Sequence, residues 1–141
     1  MEATFDENLK SVFYEWIKDK AHIEIDLNLS SYIGFMDGDK IVGAVFFTDY
    51  NGHNIFLHMA LDNPRVCQRR FIKNVFNYVF NQAGCQRATV TCDNNYGKIN
   101  KLLAGLGFVK EGVMKDMLRV KDKFVDAAIY GMYKENCKWV S

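Results

Sequence analysis

The sequence predicts an α/β fold: a mixed, mostly antiparallel sheet with a central parallel βαβ pair, flanked by helices. Three observations predict it. Helical and strand periodicities follow one another in the order α-β-β-β-α-β-α-β-β. Turn signals at Asp37-Gly38-Asp39 and Asn51-Gly52 join consecutive β-rich stretches, as antiparallel neighbours require. In the middle of the chain a strand, a helix and a strand succeed one another (54–62, 68–83, 87–93). Such a unit crosses over right-handed and leaves its two strands parallel neighbours. A chain of 141 residues, 49% of them hydrophobic, carries enough apolar area for one sizeable core, so a single domain over 1–141 is expected.

The elements follow in order. Thr4 and Glu7 have the spacing of a capping box, and Leu9, Val12, Phe13, Trp16 and Ile17 recur behind them at helical spacing, predicting a first helix from about residue 5 to 20. The stretches SYIGFMDGDKIVGAVFFTDY and HNIFLHMALD divide at their turns into three antiparallel strands near 31–36, 41–50 and 54–62, and the single proline, Pro64, closes the last. Ile72, Val75, Phe76, Val79 and Phe80 mark a second helix that ends near Gly84. RATVTCD sends Ala88, Val90 and Cys92 to one side, as a half-buried strand does. In GKINKLLAGLGFVKEG, Ile99, Leu102, Leu103 and Leu106 form one apolar helical stripe; Gly107 supplies the left-handed residue that stops the helix, and Phe108 folds back onto its last turn. GVMKDMLRV and FVDAAIYGMYK then pair across Lys121-Asp122.

Charge and cysteine usage exclude several functions. Eighteen Lys and Arg against 17 Asp and Glu give a net charge of +1, so no global field recruits nucleic acid or an anionic membrane. Cys67, Cys85, Cys92 and Cys137 are scattered, with no C-x-x-C pair and no histidine at zinc-ligand spacing, which reads as reduced thiols and no metal. MEATFDENLK lacks the cationic and apolar make-up of a signal segment, and no apolar run approaches about 18 residues, so a cytoplasmic protein is expected.

The run NYVFNQAGCQRATVTCDNNYGKINKLLAGLGFVKEGVMKD, closing with DAAIYGMYKENCKW, resembles the GNAT superfamily of N-acetyltransferases. It is most similar to the ribosomal-protein-type branch and to the short members encoded by tailed bacteriophages. The likeness covers roughly residues 30 to 139. It rests on the Tyr78-to-Phe80 helix end before Gly84, the LGFVKEG turn, and Asp126 followed by Tyr130 and Trp139. It implies a GNAT-like fold, acetyl-CoA as cosubstrate without a metal, and an amine-bearing small molecule or protein as acceptor. A homo-oligomer stays open.

The resemblance also implies a site. In this family the parallel strands splay apart and free backbone groups pair with the pantetheine arm; by position these belong to Met59, Ala60 and Leu61. The second helix turns its N-terminus to the pyrophosphate, behind a loop that normally reads Q/R-x-x-G-x-G/A. Here the loop reads NPRVCQRRFIK and supplies no glycine from either Arg65 or Gln68. Side chains of Arg65, Gln68, Arg69 and Arg70 would then replace the backbone cradle, since guanidinium groups bind phosphate bidentately. Asn94 and Asn95 stand one or two positions ahead of the family's helix-opening asparagine, and Tyr96 occupies its ungapped position.

For the acceptor's proton, His58 lies on the strand before the loop, yet out of phase with the family's usual bases; His53 is in that phase. A water-mediated route is a further option. Tyr96 is a candidate acid, while the family's usual tyrosine position holds Leu103. Asp93 either orients one of these groups or caps the helix. The missing glycines leave a second reading, a catalytically degenerate GNAT-fold module that binds a host or virion protein, and a third, an inactive acetyl-CoA-binding regulator.

Overall fold

The computed structural model describes residues 1–62 and 68–140. Among the described residues seven strands form one sheet: β1 (Glu2–Thr4), β2 (Ser31–Asp37), β3 (Lys40–Thr48), β4 (Asn54–Leu61), β5 (Arg87–Asp93), β6 (Val109–Val120) and β7 (Lys123–Tyr133). Their order across the sheet is β1-β2-β3-β4-β5-β7-β6. Three helices, α1 (Lys10–Ala21), α2 (Arg69–Asn77) and α3 (Gly97–Leu106), flank it, and a π-helical turn over Tyr78–Gln82 continues α2. Every neighbouring pair is antiparallel except β4 and β5. This is the mixed sheet with one parallel βαβ pair that the sequence predicts.

The N-terminus departs from expectation. Thr4 is not a helix cap: it ends β1, which pairs with the outer edge of β2 (Glu2 opposite Met36, Thr4 opposite Gly34). The capping carboxylate is that of Asp6, which accepts the Asn8 N–H at 2.9 Å and opens a 3-10 turn over Glu7–Leu9, so α1 starts at Lys10 rather than near residue 5. Pairing at the sheet edge gives the backbone groups of residues 2–4 partners within the protein.

Elsewhere the punctuation works as read. Gly107 takes φ +108°, and the N–H groups of Gly107 and Phe108 close back on Ala104 and Leu103. Phe108 is buried and lies 5.9 Å from the Phe76 ring. Lys121 and Asp122 both have positive φ, the backbone of a tight hairpin turn, but β6 begins at Val109, three residues before the expected Gly112.

Strand alternation splits the core in two. Ile33, Phe35, Val45, Phe47, Ile55 and Leu57 point to one face, where Phe71, Val75, Phe76, Val79 and Phe80 of the α2 region and Leu103 of α3 cover them. Tyr32, Ala44 and Phe46 point to the other, beneath Phe13 and Ile17 of α1. Truncating a buried phenylalanine such as Phe76 costs about 3–5 kcal/mol, so either layer alone carries a large part of a typical domain's stability.

Candidate active site

The parallel pair is short. β4 and β5 are paired only at Asn54 with Arg87, Ile55 with Ala88, and Phe56 with Thr89. Beyond that point β4 continues to Leu61 paired only with β3, and β5 continues to Asp93 paired only with β7. Among the described residues, the facing edges of Leu57–Leu61 and Val90–Asp93 therefore have no strand partner. β4 is the middle strand of seven, yet Met59, Ala60 and Leu61 are only half-buried. Exposure at the centre of a sheet is what a notch between parting strands produces.

The notch has an apolar wall. A cavity of about 40 Å³ opens on the helical face, lined by Met59 and Leu61 of β4, Phe71 and Val75 of α2, and Leu102 and Leu106 of α3; the described residues around it are all apolar. At one mouth stands the N-terminus of α2, where Gln68 holds the capping position and its carbonyl accepts the N–H groups of Phe71 and Ile72. No acidic residue occupies that first turn. Arg69 and Arg70 are its first two helical residues and are exposed. The Arg69 guanidinium lies 5.9 Å from the Trp139 ring centre, and Arg70 Nη2 donates to the Met1 carbonyl at 2.6 Å. Arg65 lies outside the described residues.

At the other side of the notch, the β5–α3 loop is built by one side chain that sequence reasoning did not single out. Asn100 Nδ2 donates to the carbonyls of Asp93 at 3.0 Å and Tyr96 at 2.8 Å, while its Oδ1 accepts the Tyr130 hydroxyl at 2.7 Å. An asparagine inside a helix is the available sequence cue, because its amide competes with the helix for backbone partners. Asn94 accepts from Lys110 Nζ at 2.7 Å, and Asn95 is exposed with its N–H on the Asp93 carboxylate. Asp93 thus shapes the turn, and the capping position of α3 falls to Tyr96, 56% exposed.

His58 and His53 stand at different ends of β4. His53 precedes the strand at its paired end, its carbonyl accepting the N–H groups of Gln86 and Arg87. His58, five residues on, lies beyond the last β4–β5 pair, about 16 Å further along at 3.3 Å per residue. It shares the α1 face with Ala60, the phase opposite to Met59 and Leu61. His58 Nε2 is 2.8 Å from Thr48 Oγ1, and Thr48 Oγ1 donates to Asp49 Oδ2 at 2.9 Å. Burial pushes the His58 pKa below its ordinary 6.5, and Asp49 partly opposes the shift. Neither Thr48 nor Asp49 was singled out from sequence. The signal available was hairpin register: Thr48 is the diagonal neighbour of His58, two residues beyond its direct partner Phe46.

The paired end of β4 and β5 is closed by polar side chains. Thr89 Oγ1 donates to Asn54 Oδ1 at 2.7 Å and accepts Arg87 Nε at 3.0 Å; both terminal nitrogens of Arg87 donate to the Glu111 carboxylate on β6, Nη1 to Oε2 at 2.7 Å. The Arg87 guanidinium holds the Glu111 pKa below the usual carboxylate range. The pair lies flat across Gly131 of β7, where a Cβ would stand 2.6 Å from Arg87 Nη1. Among the described residues no group of three or more His, Cys, Asp or Glu could hold a metal ion, and no helix is long and apolar enough to cross a membrane.

This architecture is that of the GNAT acetyltransferases. The spermidine N-acetyltransferase SpeG of Vibrio cholerae, in one mutant form, superposes with a TM-score of 0.73 at 12% identity, covering 94% of this chain and 95% of that one. The ribosomal-protein-S5-alanine acetyltransferase of Vibrio fischeri gives 0.67 at 24% identity, over 94% of this chain and 73% of that one. No family model matches the sequence. No curated protein matches it either.

Proposed function

We propose that the protein is an acetyl-CoA-dependent N-acetyltransferase that moves an acetyl group to an amine on a small molecule or protein by direct attack, in the cytoplasm, with the chain acting as one catalytic domain. The observation that carries this reading is the parting of β4 from β5 after Phe56 and Thr89 above an apolar cavity. The residues present fit the ligand. Free backbone donors and acceptors on the open edge of β4, from Met59 past Ala60 to Leu61, suit an extended arm bearing amides. The apolar walls suit its methylenes. An α2 N-terminus free of acidic residues suits a pyrophosphate, held by Gln68, Arg69 and Arg70 together with Arg65. Asn94 and Asn95, in the loop that leads from β5 to α3, are the candidates to meet the ligand from that side.

Bound there, acetyl-CoA supplies the acetyl group as an activated thioester. The chain's own work is to exclude water and to take the proton that the attacking amine gives up. His58 is the first candidate for that proton, because it lies past the last β4–β5 pair and burial keeps its ring neutral near pH 7. His53 is the second. Tyr96, at the start of α3, is the candidate to return a proton to the departing thiolate.

Calorimetric titration with acetyl-CoA, followed by thiol release with a panel of amines that includes a polyamine and a peptide with an N-terminal alanine, tests the proposal. Binding heat together with amine-dependent thiol release supports it. No heat at millimolar ligand overturns it and leaves the non-catalytic module that binds a host or virion protein. Heat without release under any amine leaves the acetyl-CoA-binding regulator.

A further inference from the structure

We propose that Thr48 and Asp49 are positioning residues for His58, fixing its neutral ring as the Nε2–H tautomer so that Nδ1 is the atom that takes up the proton. The proposal rests on reading His58 as the group that receives the amine's proton. It follows from counting hydrogens. A threonine hydroxyl has one hydrogen to give and lone pairs to receive, whereas an ionised carboxylate can only receive. Thr48 Oγ1 lies 2.9 Å from Asp49 Oδ2 and 2.8 Å from His58 Nε2. The hydrogen bond to the carboxylate is charge-assisted and is the stronger of the two claims on that hydrogen. With its hydrogen committed to Asp49, Thr48 offers only a lone pair to the ring, and Nε2 must carry the proton. In a neutral imidazole Nδ1 is then the basic nitrogen.

The backbone maintains the arrangement. Asp49 sits at φ +56°, in the left-handed region that aspartate tolerates better than most residues. The turn behind it is tied by Asn51, whose Oδ1 accepts the N–H groups of His53 and Asn54 at 3.1 and 2.8 Å. Thr48 is anchored in the β3–β4 ladder opposite Phe56. When the amine transfers its proton, Nδ1 gains it and Nε2 keeps its own. The imidazolium remains bonded to Thr48, and its charge faces a chain that ends in a carboxylate.

Long-range 1H–15N NMR of the 15N-labelled protein reads the tautomer without any turnover, with His58→Gln identifying the His58 ring among the three histidines. The expected result is an Nε2–H ring in the parent, a mixed or reversed tautomer in Thr48→Val, and the parental tautomer in Thr48→Ser. Asp49→Gly accepts the positive φ without strain and frees the Thr48 hydrogen, so it should raise the Nδ1–H share. In the acetyl-transfer assay Thr48→Val should lower kcat by about tenfold or more with KM little changed, and Thr48→Ser should restore it. An Nδ1–H ring in the parent, a tautomer indifferent to Thr48→Val, or an unchanged kcat in that variant overturns the positioning claim. A protein with the expected tautomer and no acetyl transfer instead overturns the reading of the site, so the two failures are separate results.

Discussion

Gly34 of β2 lies directly beneath the Phe13 ring of α1: a Cβ placed on it would stand 2.4 Å from two of the ring carbons. Phe13 is 1% exposed and lies beside Tyr32, ring centres 5.3 Å apart and planes tilted by 40°, so the ring has nowhere to retreat. α1 rides on bare backbone at this point. Gly34→Ala should lift the helix from the sheet and cost about 1–3 kcal/mol, the range for overpacking a filled core. Thermal or urea unfolding measures it; a Tm within a degree of the parent would mean that α1 adjusts freely.

The buried histidine carries a pH signature. The folded-state pKa of His58 is depressed below 6.5, so between the two values the unfolded chain binds more protons than the folded one. The stability that comes from keeping the ring neutral is therefore complete above the ordinary value and is lost as pH falls through the folded value. Asp49 is the charged group that acts on the ring, and it opposes the shift. Urea midpoints measured downward from pH 7.5 should begin to fall near pH 6.5, before most carboxylates protonate. His58→Gln should flatten that part of the curve, and an unchanged slope would locate the effect elsewhere.

Arg69 and Arg70 should separate in their effects. Both open α2, but Arg70 also holds the Met1 carbonyl while Arg69 lies over Trp139. A charged hydrogen bond is worth about 1.5–3 kcal/mol, so Arg69→Ala or Arg70→Ala should weaken acetyl-CoA by at least about tenfold. The loss should shrink for a thioester that lacks the pyrophosphate. Unfolding of the free protein should change by under about 0.5 kcal/mol for exposed Arg69, and somewhat more for Arg70, which tethers β1. Equal affinity in parent and both variants would discard the arginine cradle.

The buried thiols should be inert. Burial pushes the Cys85, Cys92 and Cys137 thiols up from their ordinary pKa, and each is buried in the core. Peptide-mapped alkylation of the native protein at pH 8 should leave all three unmodified until denaturant is added. Rapid labelling of Cys92 would show that the β5–α3 loop opens.

Much of the fold was legible because its signals are local. Gly107 and Phe108 ended α3 as read, the alternation of Ala88, Val90 and Cys92 gave the buried side of β5, and Asn51-Gly52 gave the β3–β4 turn. The misses are non-local. Three residues of β1 are a strand only because β2 offers them an edge, and Thr4 with Glu7 reads locally as a helix start. The same holds for the candidate site. Met59, Ala60 and Leu61 were named by position on the strand, through the family resemblance. Thr48, by contrast, depended on hairpin register, and Asn100 on a partner, Tyr130, thirty residues further along the chain.

Three rungs of ladder join β4 to β5, and the Asn54, Thr89, Arg87 and Glu111 side chains brace that same end. Seen as a mechanical object, the sheet is two plates, one of four strands and one of three, hinged along a single short seam and open like a book on the opposite side. An extended molecule with amides at strand spacing, laid in the opening, would be the missing rungs. It would turn two plates into one continuous sheet, and amide exchange along Leu57–Leu61 and Val90–Asp93 would slow together, on both pages at once.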